Sequence, residues 1–225
     1  MRKFYLLRHC RTEYNEAGIV QGACDSPLSP RGRQQADDLG ELFSDLHFDH
    51  VFTGNQGRHV ETARRILERN RHGRMGTDPV RLPGLNEQKL GFFDQGPEEK
   101  LYDSASRLYE KRHGLEKGSA HTEDLLMHRD LSMVELASIF HDMDTSGATE
   151  TADQVRKRAL FSLKAICDRT EENSTNLIVS SGGTLAILLN ALTSREEDGC
   201  VMPHGSCVVV REDHSNYEKV GFYGP

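Results

Sequence analysis

An Arg–His pair at the end of an apolar run is the part of this sequence best suited to chemistry. Residues 6 to 15 read LLRHCRTEYN, so Arg8 and His9 follow apolar residues and precede a polar turn. A strand that ends there presents an imidazole, which can attack phosphorus. It also presents a guanidinium, whose planar fork suits phosphate oxygens. The pair therefore favours phosphoryl chemistry.

The elements that must position this pair follow an alternating pattern. Apolar periodicity predicts an α/β fold of three layers, α/β/α, with a mostly parallel central sheet. Strands are expected at residues 3–8, 50–53, 80–82, 177–180, 206–211 and 217–222, helices at 29–45, 58–69, 149–169 and 182–192, and a loop at 10–28. Ligands of such sheets lie at the carboxyl ends of the strands. His9, Thr53 and Ser181 are therefore expected to meet at one place.

A polar stretch at about residues 98–145 interrupts this alternation. It contains weakly amphipathic helical patterns and reads as a helical insertion over the active site. Its charged residues Arg107, Lys111, Arg112 and His113 are expected on a solvated helix face. The whole chain, residues 1–225, is predicted to form a single domain with this insertion.

Composition narrows the range of partners and compartments. The formal net charge of −7 argues against general nucleic-acid binding, which needs surplus basic residues. It leaves room for a small phosphorylated metabolite in a locally basic pocket. No apolar run is long enough to span a membrane, and the N-terminus enters a strand without a secretory segment. Five cysteines without metal-type spacing fit reduced thiols, so a cytoplasmic location is predicted.

The motifs together resemble the histidine phosphatase superfamily, the phosphoglycerate-mutase-like group. The resemblance rests on RHCRTEYN, on QGACDSPLSPRGRQQA, on Arg58 with Thr62-Ala63, on LNEQKLG around Glu87 and on VSSGG at residues 179–183. It covers both ends of the chain and little of residues 98–145.

The resemblance implies a mechanism through a phosphohistidine. His9 attacks phosphorus while Arg8 and Arg58 hold the oxygens and disfavour protonated His9. Glu87, with Asp94 as a rival, protonates the departing oxygen and later activates water. Substrate-binding roles follow for a further set of residues, namely Thr12, Asn15, Gln21, Gly22 and Gly182. No metal or other cofactor is required.

Two positions depart from the family pattern. The family carries a second histidine before the paired glycines, and here that position is Ser181. A serine donates more weakly, although the backbone amides of residues 180–183 open a helix and could hold an anion. His204 is a possible substitute. The other departure is Cys10, which replaces a glycine and is either a packed residue or an oxidisable thiolate.

These departures leave several functions open. The protein is a weakened phosphatase in which Ser181 still acts, a relative that binds phosphorylated ligands without catalysis, or one whose histidine was replaced deliberately. We expect Ser181→His to raise the rate of phosphate hydrolysis tenfold or more, because the loss of one hydrogen-bond donor in the transition state has an effect of about that order.

Hydrolysis is favoured over mutase-type phosphoryl transfer, because Glu87 is followed by QKLG rather than by the R-H-Y-G of the mutases. A metal hydrolase built on some of the 11 histidines is a weaker alternative, since no H-E-x-x-H pair occurs. The oligomeric state, monomer or homodimer, stays open.

Overall fold

The computed structural model describes residues 1–72, 78–121, 131–193 and 202–224. The strands are β1 (Arg2–Arg8), β2 (His50–Thr53), β3 (Val80–Arg81), β4 (Thr175–Ser180), β5 (Cys207–Asp213) and β6 (Asn216–Tyr223). The helices are α1 (Glu13–Glu16), α2 (Pro30–Leu42), α3 (Gly57–Arg69), α4 (Glu98–His113), α5 (Met133–Met143), α6 (Ala152–Cys167) and α7 (Gly182–Thr193). Two short 3₁₀ turns cover Pro83–Leu85 and Gly91–Phe93.

The six strands form one sheet in the order β3-β2-β4-β1-β5-β6. The first four of these strands are parallel, whereas β5 is antiparallel to both β1 and β6. In the central parallel pair, Arg8 lies opposite Ser180. The ends of β1 and β4 therefore coincide, and the residues that follow them, His9 and Ser181, emerge side by side.

Alternation along the strands divides the core between the two faces of the sheet. Phe4 and Leu6 face one hydrophobic cluster, which includes residues of α6 and α7, while Tyr5 and Leu7 face another, which includes residues of α2 and α3. Each buried side chain of this size contributes roughly 1.5–3 kcal/mol of transfer free energy. The predicted α/β fold, with helices on both sides of a mostly parallel sheet, is confirmed.

The helices of the predicted insertion, α4 and α5, build a third cluster. Their buried side chains pack with each other and with Ala186 and Ile187 of α7. The basic residues Arg107, Lys111, Arg112 and His113 are all exposed, as the solvated-face prediction expects. Residues 122–130 lie outside the described part of the chain.

Several predicted boundaries were wrong, and the helix expected at 149–169 spans Ala152–Cys167. The segment 10–28 contains the short helix α1, because Thr12 and Asn15 form a capping box that closes one turn. The helix expected to run to about Asp45 ends at Leu42. Its start is as predicted, since Ser29 caps the amide of Gly32 and Pro30 occupies the first turn. In the described residues, none of the helices has the length and apolarity needed to cross a membrane.

Helix α2 packs against the segment that follows His9 through a glycine. A Cβ atom built on Gly32 would overlap the carbonyl oxygen of Arg11. The Arg11 carbonyl also accepts a hydrogen bond from the Ser29 amide at 3.0 Å. This close approach therefore fixes the chain at Arg11, three residues beyond the end of β1.

We expect the substitution Gly32→Ala to lower the free energy of unfolding by about 1–3 kcal/mol, because the added methyl group must displace backbone. Urea unfolding followed by circular dichroism measures the change. Gln34→Ala, at an exposed position of the same helix, serves as the control and should stay within about 0.5 kcal/mol of wild type. Equal stability of Gly32→Ala and Gln34→Ala would contradict the packing described here.

Candidate active site

The imidazole of His9 is buried and has a defined tautomer. Its backbone amide donates to the Ser180 carbonyl at 2.9 Å, and its side chain is only 4% exposed. Nδ1 lies 2.8 Å from the carbonyl oxygen of Cys10. Because a carbonyl can only accept, Nδ1 carries the proton in this contact. Nε2 consequently keeps its lone pair, which is the state a nucleophile requires.

The surroundings of His9 favour this neutral form. Burial, followed by the positive charge of Arg58, lowers the pKa of His9 well below its ordinary value of 6.5. Arg8 acts in the same direction but more weakly. The predicted influence of the two arginines thus has the right sign, although removal of the imidazole from water is the larger cause.

Both arginines are held by the protein and each keeps one nitrogen without a partner. Arg8 donates from Nη1 to the Met202 carbonyl at 2.5 Å and lies 2.8 Å from Nε2 of His204 through Nη2. Arg58 is fully buried and donates to the carbonyl oxygens of Gly22 and Cys24. In both residues Nε is buried and has no hydrogen-bond partner among the residues that the structure describes. Such unpaired donors are costly unless an anion accepts from them.

A carboxylate also anchors Arg58 and the helix on which it lies. Asp25 accepts hydrogen bonds from the Gly57 amide and from Nη1 of Arg58, the latter at 3.1 Å. Gln56, the N-cap residue of α3, makes no capping hydrogen bond with its side chain. Asp25 therefore accepts from the first amide of the helix in its place. The 22–25 loop and the start of α3 are therefore fastened together around the guanidinium.

Glu87 reaches the same place from the loop after β3. Its Oε1 accepts from the amides of Gln88 and Thr184, at 2.8 and 3.1 Å, and from the Thr184 hydroxyl. Its Oε2 accepts only a longer bond of 3.2 Å from the Gly183 amide. Of the amides at residues 180–183, which the sequence suggested for an anion, the Glu87 carboxylate therefore occupies that of Gly183. Oε2 is the oxygen that retains capacity for a further proton.

The predicted substrate-binding residues of the first loop hold one another. Thr12 is fully buried; its hydroxyl bonds to Asn15 and accepts from Nε2 of Gln21 at 2.6 Å. The amide of Gly22, expected as a free donor, instead donates to Asp94 at 2.6 Å. Asn15 and Gln21 line the cavity described below, whereas Thr12 lies behind them.

Two of the alternatives raised by the sequence lose support. The carboxylate of Asp94, the rival acid, accepts from the amides of Gly22 and Ala23 and does not line the cavity. Cys10 is completely buried, and burial raises the pKa of its thiol to about 12. Cys10 is therefore a packed residue rather than a reactive thiolate.

Two further imidazoles flank His9, and sequence reasoning missed one of them. The ring of His204 lies 5.3 Å from that of His9, centroid to centroid, and the ring of His59 lies 5.6 Å away. His59, in the first turn of α3, places Nε2 2.7 Å from the hydroxyl of Ser181. Burial lowers the pKa of His59 well below 6.5 and that of His204 to about 2. All three rings are therefore neutral.

A cavity of about 110 Å³ opens beside these groups. Its polar end contains Arg8, His9, Glu87 and the glycines 182 and 183. A Cβ atom on Gly182 would lie 3.0 Å from Nε of Arg8, so glycine allows the guanidinium to approach the helix start. The apolar part of the lining comes mostly from the insertion, through Leu101, Tyr102, Met133, Leu136 and Phe140, and the insertion also contributes Glu98.

Comparison with known proteins identifies the family. A family model described as the histidine phosphatase superfamily, branch 1, matches residues 4–126, more than half of the chain. The chain belongs to this superfamily. The resemblance predicted from the sequence motifs is thereby confirmed.

Relatives within the histidine phosphatase superfamily carry different names. The chain is 38% identical to fructose-2,6-bisphosphatase TIGAR B of Danio rerio over 45% of this chain and 39% of that protein. It is 32% identical to the probable phosphoglycerate mutase GpmB of Erwinia tasmaniensis, over 85% and 75% of the two chains. The crystal structure of phosphoglycerate mutase from Bacillus anthracis str. Sterne shares the fold, with a TM-score of 0.84, 22% identity and coverage of 97% and 91%.

The described residues contain no cluster of three or more His, Cys, Asp or Glu side chains that could hold a metal ion. The metal-hydrolase alternative therefore gains no candidate site among them. The histidines that do come together, His9, His59 and His204, are arranged around two arginines, whose charge repels a cation.

The three neutral imidazoles predict an acid-sensitive fold. In the unfolded chain each takes up a proton near pH 6.5, whereas in the folded protein its pKa is lower. Below pH 6.5 the unfolded state binds more protons, so the free energy of unfolding falls by up to about 1.4 kcal/mol per pH unit for each imidazole. Above pH 6.5 these groups contribute no pH dependence.

Urea unfolding between pH 7.5 and 5 tests this expectation. His204→Gln should reduce the slope of the free energy of unfolding against pH below pH 6.5 by up to about 1.4 kcal/mol per pH unit, the contribution of one imidazole. His47→Gln, whose wild-type side chain is 64% exposed, should leave the slope unchanged. Parallel slopes for wild type and His204→Gln would refute the assignment of His204 as a neutral imidazole.

Proposed function

We propose that this protein hydrolyses phosphate monoesters through a phosphohistidine formed on His9. The observation that carries the proposal is the neutral imidazole of His9, with Nε2 unprotonated, at the end of a cavity that also contains Arg8 and Glu87. A nucleophile, an unpaired guanidinium N–H and a carboxyl group with one open oxygen meet there. The known phosphatase and mutase relatives support the same chemistry.

The first half-reaction transfers the phosphoryl group to the enzyme. The lone pair of His9 Nε2 forms a bond to phosphorus while the bond from phosphorus to the ester oxygen breaks. Glu87, protonated at Oε2, gives its proton to the departing oxygen, so the product leaves as a neutral alcohol. The Nε–H groups of Arg8 and Arg58 donate hydrogen bonds to the oxygens of the transferring phosphoryl group and stabilise their negative charge.

The second half-reaction restores the enzyme. Glu87, now ionised, removes a proton from a water molecule as the oxygen of that water attacks phosphorus. The bond from phosphorus to Nε2 breaks, inorganic phosphate leaves and His9 regains its lone pair. One carboxyl group therefore serves as acid and then as base.

In this proposal, some of the remaining predicted site residues contact the substrate and others hold the first loop in position. Asn15, Gln21 and Gly182 line the cavity and contact the substrate. Thr12 and Gly22 hold the first loop in place through Asn15, Gln21 and Asp94. Ser181, whose hydroxyl contacts the ring of His59, donates to a phosphoryl oxygen.

The apolar lining that the insertion contributes favours hydrolysis of a monoester with an apolar alcohol part. Among the described residues that line the cavity, Arg8 is the only lysine or arginine. A phosphoglycerate or a bisphosphate carries a second anion, which needs its own basic partner when it is removed from water. The leucine, methionine and phenylalanine side chains of the lining instead suit an aromatic or aliphatic group. We therefore favour a phosphatase over mutase-type transfer.

Location and assembly stay predictions. The four described cysteines, Cys10, Cys24, Cys167 and Cys207, are unpaired, which supports a reducing compartment such as the cytoplasm. The helices α4 and α5 share a hydrophobic cluster with α7, which supports a single domain that includes the insertion. Monomer and homodimer both remain open.

We expect hydrolysis of 4-nitrophenyl phosphate, with activity reduced to background in His9→Ala because the nucleophile is gone. Acid quenching with a ³²P-labelled substrate should trap label on wild type and none on His9→Ala. Glu87→Gln should cost about 10²–10⁴-fold for an alkyl phosphate, whose leaving oxygen needs a proton. The effect on formation of the phosphoenzyme from 4-nitrophenyl phosphate should be smaller, since nitrophenolate leaves unaided.

His47→Ala, an exposed histidine outside the site, is the control and should keep wild-type rates. Turnover that survives in His9→Ala, or label found on another residue, would reject the mechanism. An equal loss for both leaving groups in Glu87→Gln would remove the acid role from Glu87.

The apolar wall predicts a substrate preference. The kcat/KM for 1-naphthyl phosphate should exceed that for glycerol 3-phosphate and for 3-phosphoglycerate by about tenfold or more. Phe140→Ala should reduce this ratio, whereas Phe161→Ala, a phenylalanine that is 75% exposed on α6, should not. A preference for 3-phosphoglycerate, or its conversion into 2-phosphoglycerate, would instead support the mutase alternative.

A further inference from the structure

The hydroxyl of Ser181 has a partner that lies far away in sequence. Nε2 of His59 is 2.7 Å from Oγ of Ser181, and 122 positions separate the two residues. Both are buried, at 0% and 1% exposure. His59 directly follows Arg58 in the first turn of α3, while Ser181 directly follows β4. The pair therefore joins the two elements that flank the His9 imidazole on this side of the sheet.

The direction of this hydrogen bond follows from the other nitrogen of His59. Nδ1 is buried and has no hydrogen-bond partner in the described part of the chain, and a Cβ atom on Gly54 would overlap it. The ring is neutral, so it carries one proton. If that proton were on Nδ1, a buried N–H donor would be unpaired, which is rare in folded proteins. The favoured tautomer carries it on Nε2, which then donates to Oγ of Ser181.

With Oγ accepting from His59, the hydroxyl proton of Ser181 is available for another acceptor. Its only hydrogen-bond partner among the described residues is the His59 ring. Ser181 lies beside His9 because β1 and β4 are paired up to Arg8 and Ser180. A phosphoryl group on His9 would bring oxygen atoms to this location.

His204 is less suited to the role of the missing donor. Nη2 of Arg8 lies 2.8 Å from its Nε2, and because an arginine only donates, Nε2 of His204 must accept. Its single proton is then on Nδ1. The nitrogen that faces the arginine has no hydrogen to offer to a phosphate.

We propose that Ser181 and His59 together replace the single imidazole that the superfamily carries at position 181. Ser181 donates its hydroxyl proton to a phosphoryl oxygen, and His59 donates to the Ser181 oxygen. This second bond polarises the hydroxyl and fixes its rotamer, since linked hydrogen bonds strengthen one another. His59 is a positioning residue that acts through Ser181. The inference rests on the proposed phosphoryl chemistry at His9.

The pair changes the expectation for restoring histidine at position 181. His59 already fills the space that an imidazole at 181 would enter, so two rings would compete for one volume. Ser181→His alone should therefore lower kcat instead of raising it tenfold. The exchange His59→Ala with Ser181→His removes the conflict, and we expect it to recover activity relative to Ser181→His.

A double-mutant cycle on the hydrolysis of 4-nitrophenyl phosphate tests the pair. Ser181→Ala should lower kcat about 10²-fold, the low end for one lost transition-state donor. His59→Phe keeps the ring volume without the hydrogen bond and should lower kcat about tenfold with little change in KM. The double variant should be no worse than Ser181→Ala, because His59 acts only through that hydroxyl. His59→Gln, which can donate from its amide, should recover most of the activity lost in His59→Phe.

Binding of orthovanadate, measured by calorimetry, separates this inference from the proposed function. Vanadate mimics the transferring phosphoryl group, so Ser181→Ala and His59→Phe should weaken its binding, again without additivity. If wild type binds vanadate but shows no His9-dependent turnover, the proposed function fails while the cycle on binding still decides the pair. The inference would be overturned if the losses of the two single variants multiplied in the double variant. Full activity and full vanadate binding in His59→Phe would overturn it as well. Thermal unfolding of each variant and the His47→Ala control show that the fold is intact.

Discussion

The hydrogen bond from the His9 amide to the Ser180 carbonyl is the constraint on which the site depends. It continues the parallel pairing of β1 and β4 by one residue and fixes where the chain leaves both strands. In a parallel sheet, neighbouring strands end on the same edge. The nucleophile and the start of α7 are therefore set at a short distance by backbone geometry alone. Side chains can then vary around a fixed frame.

A second constraint is electrostatic. Two arginines and three imidazoles lie close together, and carbonyl oxygens hold Arg8 and most of Arg58, whose Nη1 also pairs with Asp25. Carbonyls satisfy donors without cancelling charge, so the positive field persists and, after burial, lowers the pKa of His9. A buried charge that is only partly compensated lowers the stability of the folded state. The arrangement sacrifices stability for an anion site, as is common where groups are prepared for a charged ligand.

Local sequence signals predicted the frame well. The buried strand β1, the Ser29–Pro30 start of α2 and the strand at His50–Thr53 were predicted because each depends on neighbouring residues. The contacts of the loops were not predictable in the same way. The Gly22 amide was expected to face a ligand, yet Asp94 occupies it from 72 positions away. Likewise the Gly183 amide was predicted to be available to an anion, yet it donates to Glu87, which lies 96 positions away. Such partners depend on how loops fold over one another.

His59 shows the same limit most clearly. Its position next to Arg58 in an amphipathic helix gave no reason to separate it from ten other histidines. The informative signal was the combination of an imidazole gained at 59 and one absent at 181, which is visible only when α3 and β4 are known to meet. Because the sheet holds both elements against His9, an imidazole supplied from either side reaches nearly the same volume. The serine at 181 is then better understood as one half of a two-residue donor than as a simple loss.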